Sequence, residues 1–386
     1  MNVLFSEGVQ VIKTEADRLY FIDNLRIYMT FSVVLHHVAV IYGVPGGWYY
    51  SEYAGDTLSQ IFLTIITFSG RAFVIQFFFF IAAFFTPAAY DRKGPLYFMK
   101  DRLIKLGIPL VVYSCMIGPT ITYLVQFDTL STEYSFLENI YRFKNVAPAA
   151  LWFAEVLLIF SFFYTLLRLF AKAPVPGRRE SSFFPSNATI MSFTLIIGLI
   201  TFLTRIYFPA TYKIFHLRPG NYPPYIAMFI LGIVTCRRNW LAGINDDVYR
   251  FWIKVLAFAF LIFIGFISYD GILYKHTVLY RGGPTWQGLF GAVWENIVCA
   301  GSIICCIYLG RKYDNHQGRL FKALSKDAFA VYVFHAPVVV AFTYFMKDVP
   351  LHPLLKFIIV FTTATPFTFA LCHYCIRKIP FAGRIL

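Results

Sequence analysis

Residues 26–37, RIYMTFSVVLHH, place an arginine and two histidines at the ends of an almost wholly apolar run. The whole run, residues 20–43, is long enough to cross the hydrocarbon core of a bilayer, about 30 Å, as a helix. Ionisable side chains are costly in such a helix and need a partner or a polar cavity. Eleven residues of helix turn through about 1100°, so Arg26 and His37 share one face about 16 Å apart. His36 points about 100° away from His37.

The composition of the chain predicts an integral membrane protein. Hydrophobic residues make up 58% and charged residues 14% of the 386 residues, and the mean hydropathy is +0.62. No soluble domain of this size needs so much apolar surface. We therefore expect an all-α polytopic helix bundle of about ten transmembrane helices. The predicted spans are 20–43, 57–88, 106–124, 150–170, 188–207, 223–236, 251–269, 286–309, 328–346 and 354–375.

The basic residues predict the orientation of these spans. With the N-terminus in the cytoplasm, 23 of the 34 lysines and arginines fall on cytoplasmic segments and 7 on outer loops. This asymmetry is typical of the positive-inside rule and predicts both termini in the cytoplasm of a multi-pass protein of the plasma membrane. The basic residues form no long patch, which argues against nucleic acid as a partner. The 7 cysteines lie in or at the ends of apolar runs and predict neither a disulfide framework nor a metal site.

The order of segments predicts one membrane domain with short ends. Residues 1–19 form a cytoplasmic N-terminal segment, residues 20–376 the transmembrane domain, and residues 377–386 a cytoplasmic tail. The longest hydrophilic gaps, 125–149 and 171–187, are too short to fold alone.

Several ionisable residues lie inside predicted spans. Arg71, in TFSGRAFVIQFFFF, is about 25 Å from the cytoplasmic end of its span, close to the depth of about 24 Å expected for His37. Arg71 is either one half of a structural ion pair, with Glu295 or Glu155, or part of a polar site. Glu155, Glu295 and His335 could each make a helix–helix hydrogen bond. Together these groups favour a polar path or active site.

A second group of charges marks the cytoplasmic side. FMKDRLIKLGIPLVV carries Lys100, Arg102 and Lys105, which serve either as a positive-inside anchor or as a site for an anionic ligand such as a nucleotide diphosphate. Asp23 lies three residues before Arg26, close enough to pair with it.

These segments resemble the acyltransferase-3 family of integral-membrane O-acyltransferases. FIDNLRIYMTFSVVLHH is similar to the first helix of that family, which has an arginine, ten residues and then a histidine. DRLIKLGIP is similar to its basic motif at the third helix, although Lys105 stands where the family usually has a second arginine, so the charge is kept and the fork geometry is lost. Two further likenesses are LWFAEVLLIF, through Trp152 and Glu155, and FAVYVFHAPVVV, through Tyr332, His335 and Pro337.

One segment resembles a particular branch of the family. FSGRAFVIQFFFFIAAFFTPAAYDRKG looks closest to the branch that includes the succinyltransferase of periplasmic glucans, which carries an arginine where Arg71 stands. Ala83 replaces the glycine that usually follows the phenylalanine run in the family.

The resemblance implies a transferase. It would move an acyl group, acetyl by expectation and succinyl as the alternative, from cytoplasmic acyl-CoA to a hydroxyl of an extracytoplasmic or lipid-linked glycan, with no tightly bound cofactor. His37 would be the general base or a nucleophile that carries the acyl group. Arg71 would stabilise the oxyanion or hold the acceptor, and Glu155 would fix a histidine tautomer or pair with Arg71. The donor phosphates would bind Arg26, Arg102 and Lys105.

Three other functions fit parts of the pattern. A transporter or flippase of a glycan or lipid would also have ten spans and buried charges, although the chain shows no inverted repeat. An acyltransferase of another class could act on lipids or proteins. A sensory or structural membrane protein would leave the matching depths of His37 and Arg71 unexplained.

Overall fold

The computed structural model describes residues 19–43, 48–53, 55–130, 147–171, 183–214 and 216–386, with side chains given as far as Val125 in the segment that ends at 130. The described chain is helical, and its β pairing is limited to one isolated bridge between Ile214 and Leu217. The predicted N-terminal segment, apart from Leu19, lies outside the described residues, as does most of the inner loop 171–187.

Each predicted span overlaps at least one helix, although several bounds differ. The helices are α1 Tyr20–Tyr42, α2 Thr57–Arg102, α3 Ile108–Val112, α4 Gly118–Leu130, α5 Trp152–Phe170, α6 Asn187–Tyr207, α7 Tyr222–Arg238, α8 Asp246–Phe266, α9 Trp286–Tyr313, α10 Arg319–Phe345, α11 Pro353–Tyr374 and α12 Ala382–Ile385. Short π-helical turns, Leu103–Gly107 and Tyr113–Ile117, join α2, α3 and α4, and a third, Ile267–Leu273, extends α8.

Eight segments of the described chain are long and apolar enough to cross a membrane. One of them, Thr57–Val125, contains both the second and the third predicted span and is broken at Gly94, whose φ of +72° no helix allows. Helix α7, which corresponds to the short predicted span 223–236, has 17 residues and is not among these eight segments. The protein is thus a multi-pass helical membrane protein, while ten crossings and cytoplasmic termini remain predictions.

Side chains at the N-termini explain where several helices begin. Asp56 accepts a hydrogen bond from the amide of Ser59 at 2.8 Å, which satisfies one of the amides that a first helical turn leaves unpaired. The same is true of Ser186 before α6, Asn245 before α8 and Thr285 before α9.

Helix α2 lies at the centre of the bundle, where it packs against α1, α5, α7 and α9. Its contact with α7 depends on Gly232, since a Cβ there would lie 2.7 Å from the Cβ of Ala83. Small residues at such a contact let two membrane helices approach closely and gain dispersion energy. The phenylalanine run of α2 fills the centre of the core next to this contact, with Phe77 and Phe79 almost fully buried.

Helix α1 lies between α2 and the α10–α11 pair, so residues on α1 can meet residues from both sides. The segment 48–53 is held over the outer end of α1 by the amide of Glu52, which donates to the Ile41 carbonyl at 2.8 Å. The Glu52 carboxylate also pairs with Lys356 of α11, whose side chain is 3% exposed. These contacts fix the part of the fold that surrounds His37.

Candidate active site

A cavity of about 490 Å³ opens at the end of the bundle predicted to face outward. Its wall includes four of the predicted site residues: His37, Arg71, Trp152 and Glu295. The three residues predicted to bind the donor are not part of this wall within the described chain. The cavity is large enough for a small acyl group together with part of an acceptor.

His37 meets His335 at the edge of this cavity. His335 Nε2 lies 2.9 Å from His37 Nδ1, and His335 Nδ1 lies 2.7 Å from the carbonyl oxygen of Tyr332. Because a carbonyl oxygen can only accept, Nδ1 of His335 carries the hydrogen, and in the neutral ring Nε2 accepts. His37 must then donate from Nδ1, which leaves its Nε2 with the free lone pair.

The free nitrogen of His37 remains accessible. Nε2 makes no hydrogen bond with the described residues. It is not fully shielded from solvent either, so a substrate can reach it. The indole of Trp48 stacks on the imidazole with ring centroids 4.0 Å apart and the planes 16° apart, which holds the ring orientation. Sequence reasoning missed Trp48, because it lies outside every predicted span.

His36 also reaches the cavity but has other neighbours than His37. Its Nδ1 lies only 2.7 Å from where a Cβ on Gly70 would stand, so α1 and α2 approach each other here because residue 70 is a glycine. His36 thus packs toward α2 while His37 packs toward α10. The predicted angular separation of the two rings agrees with these separate contacts, although both side chains line the cavity.

Glu295 pairs with an arginine, but not with Arg71. Arg205 Nη1 donates to the Glu295 carboxylate at 2.7 Å, and its other nitrogens donate to Gly220 O at 3.0 Å and Asn221 Oδ1 at 2.9 Å. Gln76 donates to the second carboxylate oxygen at 3.1 Å. The interpretation of Arg71 as the ion-pair partner of Glu295 is therefore wrong, since Arg205 holds that position, is 3% exposed, and has a partner for each of its three side-chain nitrogens.

Glu155 holds a histidine, as expected, but the histidine is His216. His216 Nε2 lies 2.6 Å from the Glu155 carboxylate, on the segment between α6 and α7. Glu155 makes no ion pair with Arg71 either, and its second oxygen, Oε2, is buried without a hydrogen-bond partner among the described residues. His216 lines the cavity while Glu155 stands behind it.

Three arginines line the cavity without a partner. The side chains of Arg71, Arg218 and Arg281 make no hydrogen bond or ion pair with the described residues, and Arg281 Nε is buried as well. Burial, followed by the charges of Arg71 and Arg218, lowers the pKa of Arg281. Burial also lowers the pKa of Arg218, and burial and Arg218 lower the pKa of Lys213.

The loops that carry two of these arginines are well fixed. The Arg281 carbonyl accepts from the amide of Ala210 at 2.8 Å, and Tyr280, 1% exposed, donates from its hydroxyl to Asp270 at 3.0 Å. Arg218 stands between the Ile214–Leu217 bridge and a 3₁₀ turn at Pro219–Asn221. The sequence contains a signal for both arginines. They lie on loops predicted to face outward, where the positive-inside rule expects few basic residues.

The cations predicted to face the cytoplasm have separate partners. Arg26 pairs with Asp23 at 3.6 Å, as predicted. Lys105 pairs with Asp101 at 3.3 Å, whereas Arg102 lies over the ring of Phe98, with 5.2 Å from its guanidinium carbon to the ring centroid. The route from this side to His37 is packed with apolar side chains, among them Leu25 of α1 and Phe77 and Phe80 of α2.

Comparison with known proteins assigns the chain to a family. Residues 19–375 match the family model Acyl_transf_3, described as an acyltransferase domain, and the chain belongs to that family and is an acyltransferase. It is also 23% identical over 348 residues, 85% of this chain and 84% of the relative, to "Glucans biosynthesis protein C" of Salmonella gallinarum (strain 287/91 / NCTC 13346). No solved structure matches the chain at a significant level.

Proposed function

We propose that this protein is a plasma-membrane O-acyltransferase that moves a small acyl group from cytoplasmic acyl-CoA to a hydroxyl of an extracytoplasmic or lipid-linked glycan. Acetyl is the first expectation for the acyl group and succinyl is the alternative. The observation that carries the proposal is the pair of histidines at the cavity, with the lone pair of His37 Nε2 left available. The likeness to a glucan biosynthesis protein supports a glycan as acceptor.

The chemistry requires a base at the acceptor hydroxyl. His37 Nε2 takes the hydroxyl proton as the oxygen attacks the thioester carbonyl carbon, and the resulting imidazolium donates through Nδ1 to His335. The C–S bond then breaks, and the thiolate of CoA leaves and takes up a proton. His335 touches His37 rather than the substrates, so it is a positioning residue that fixes the tautomer of the base.

Arg71 supplies positive charge for the same step. It lines the cavity with its guanidinium unpaired, so a carbonyl oxygen that becomes negative could be stabilised there without breaking an existing ion pair. Arg205 does not fit this role because its donors are already bonded to Glu295, Gly220 and Asn221.

The donor must reach His37 from the cytoplasmic side. Arg102, Lys105 and Arg26 are candidates to bind the CoA phosphates, and the pantetheine arm would span about 16 Å along α1. Since the phenylalanine run fills this route, we propose that donor binding separates α1 from α2 at that level.

Mass spectrometry of surface glycans and lipids, from cells with and without the protein, tests the function. We expect an added acyl mass on a glycan, dependent on His37. Acylation of lipid or protein alone would contradict the glycan acceptor. A glycan that is moved across the membrane but never acylated would contradict transfer and favour a transporter.

A further inference from the structure

The cavity carries far more positive than negative charge. Among the described residues its wall contains five cationic side chains but a single carboxylate, that of Glu295. Arg205 neutralises this carboxylate, so the other four cations have no counter-charge on the wall. They are Arg71, Lys213, Arg218 and Arg281.

Two carboxylates near this end are bonded to groups other than the arginines among the described residues. Glu155 stands behind the wall and is bonded to His216, and Asp270 is bonded to His276 and Tyr280. The outer segment 131–146, which lies outside the described residues, contains two acidic and two basic residues and so brings no net charge.

Burying like charges together is unfavourable, and a guanidinium is too basic to escape by losing its proton at neutral pH. The cost is usually offset by an anion that bonds to several guanidiniums, because their forked donors match carboxylate and phosphate oxygens. Arg71, Arg218 and Arg281 line the same cavity, and their side chains make no hydrogen bond or ion pair with the described residues. Such an arrangement is typical of a binding site for an anionic ligand.

We propose that Arg218 and Arg281, on the same cavity wall as Arg71, form a site for an anionic group, a carboxylate or a phosphate, that one of the two substrates carries in addition to its reacting atoms. The inference rests on the proposed function and names the substrate class of the same site. The group is either the free carboxylate of a dicarboxylic acyl chain or an acidic group on the acceptor glycan. In both cases the anion lies in the outer cavity, apart from the CoA phosphates on the cytoplasmic side.

The first experiment measures anion binding without any turnover. The full-length protein in nanodiscs is melted with succinate or inorganic phosphate and with chloride at equal ionic strength. We expect at least one of the two anions to raise the melting temperature of the wild type, and the double variant Arg218→Gln/Arg281→Gln to lose that rise. Without added anion the double variant should melt no lower than the wild type, because repulsion is relieved and no ion pair is broken.

The control is Arg250→Gln, which removes an exposed charge at the cytoplasmic end of α8. It should keep the anion-dependent rise in full. Absence of the rise in the wild type, an equal rise in the double variant, or a double variant that melts lower without anion would each overturn the proposal.

The second experiment identifies which substrate carries the anion. Hydrolysis of acetyl-CoA and succinyl-CoA is compared in wild type and double variant, followed by transfer from acetyl-CoA to neutral and acidic glycan fractions of the membrane. A loss of about tenfold or more in kcat/KM confined to succinyl-CoA assigns the anion to the acyl chain. The same loss confined to acidic glycans assigns it to the acceptor.

Two results distinguish a failure of the proposed anion site from a failure of the proposed acyltransferase function. Equal losses with acetyl-CoA and succinyl-CoA in hydrolysis would show that the arginines serve the reaction or CoA itself, which overturns the anion site. If the wild type processes no acyl-CoA, the proposed function fails, and the melting experiment still decides whether the arginines bind an anion.

Discussion

Replacing His335 by leucine or by glutamine should separate the two parts of its role. His335 is fully buried, and both substitutes are close to it in size. Leucine removes the acceptor that faces His37 Nδ1 at 2.9 Å, whereas the amide oxygen of glutamine can still accept there. A hydrogen bond to a group that becomes charged contributes about 1.5–3 kcal/mol, and about 1.36 kcal/mol corresponds to tenfold in rate. His335→Leu should therefore reduce kcat by roughly 10- to 150-fold.

The assay is turnover of radiolabelled acyl-CoA by protein in nanodiscs, with thermal melting as the measure of folding. His335→Gln should stay within a few-fold of the wild type, because it keeps the Nδ1–H tautomer of His37. If His335→Leu retained full kcat while folded, the proposed positioning of His37 would be refuted. If both variants lost kcat equally and their melting temperatures fell equally, His335 would contribute only to packing and would not position His37.

Three further changes test the rest of the fold and site. Glu295→Gln should lower the free energy of unfolding by about 3–5 kcal/mol, measured by denaturation in detergent, because it leaves Arg205 buried without its counter-charge. Lys356→Met should lower the free energy of unfolding by less, about 1–3 kcal/mol, because the Glu52 carboxylate that it leaves unpaired is 28% exposed, and it should leave KM for acyl-CoA unchanged. Arg102→Gln should raise KM for acyl-CoA by roughly tenfold with little change in kcat, and an unchanged KM would exclude it from the donor site.

Much of the bundle could be predicted from the sequence because lipid imposes simple rules. A span must be apolar and about 20 residues long, so α1, α6 and α11 are found within a residue of their predicted bounds. The full length of the helix from Thr57 to Arg102 was harder to predict. Apolar length alone does not show that the helix continues through the charged residues after Ala88 and resumes after the break at Gly94.

The candidate site was predicted in part. His37 and Arg71 do line one cavity, since helix geometry sets the depth of a residue in its span. Partners across helices follow from packing and not from spacing, so Arg205 took the place expected for Arg71 beside Glu295. Trp48 was missed because it lies on a loop whose position depends on tertiary contacts.

Two arginines on the loops predicted to face outward were a further indication of the site in the sequence. Arg218 and Arg281 lie on loops predicted to face outward, where basic residues are depleted, and both line the cavity. In a membrane protein, a charge that contradicts the positive-inside pattern is a candidate for a functional role.

The most direct test of the account compares His37→Ala with His36→Ala in proteoliposomes supplied with labelled acyl-CoA and a glycan acceptor. Both substitutions remove an imidazole from the same cavity, but only His37 is bonded to His335 and has its other nitrogen available to the substrates. We predict that His37→Ala abolishes acyl transfer while the protein still inserts and melts normally, and that His36→Ala has a much milder effect. Full transfer by a folded His37→Ala variant, or equal losses in the two variants, would contradict the account.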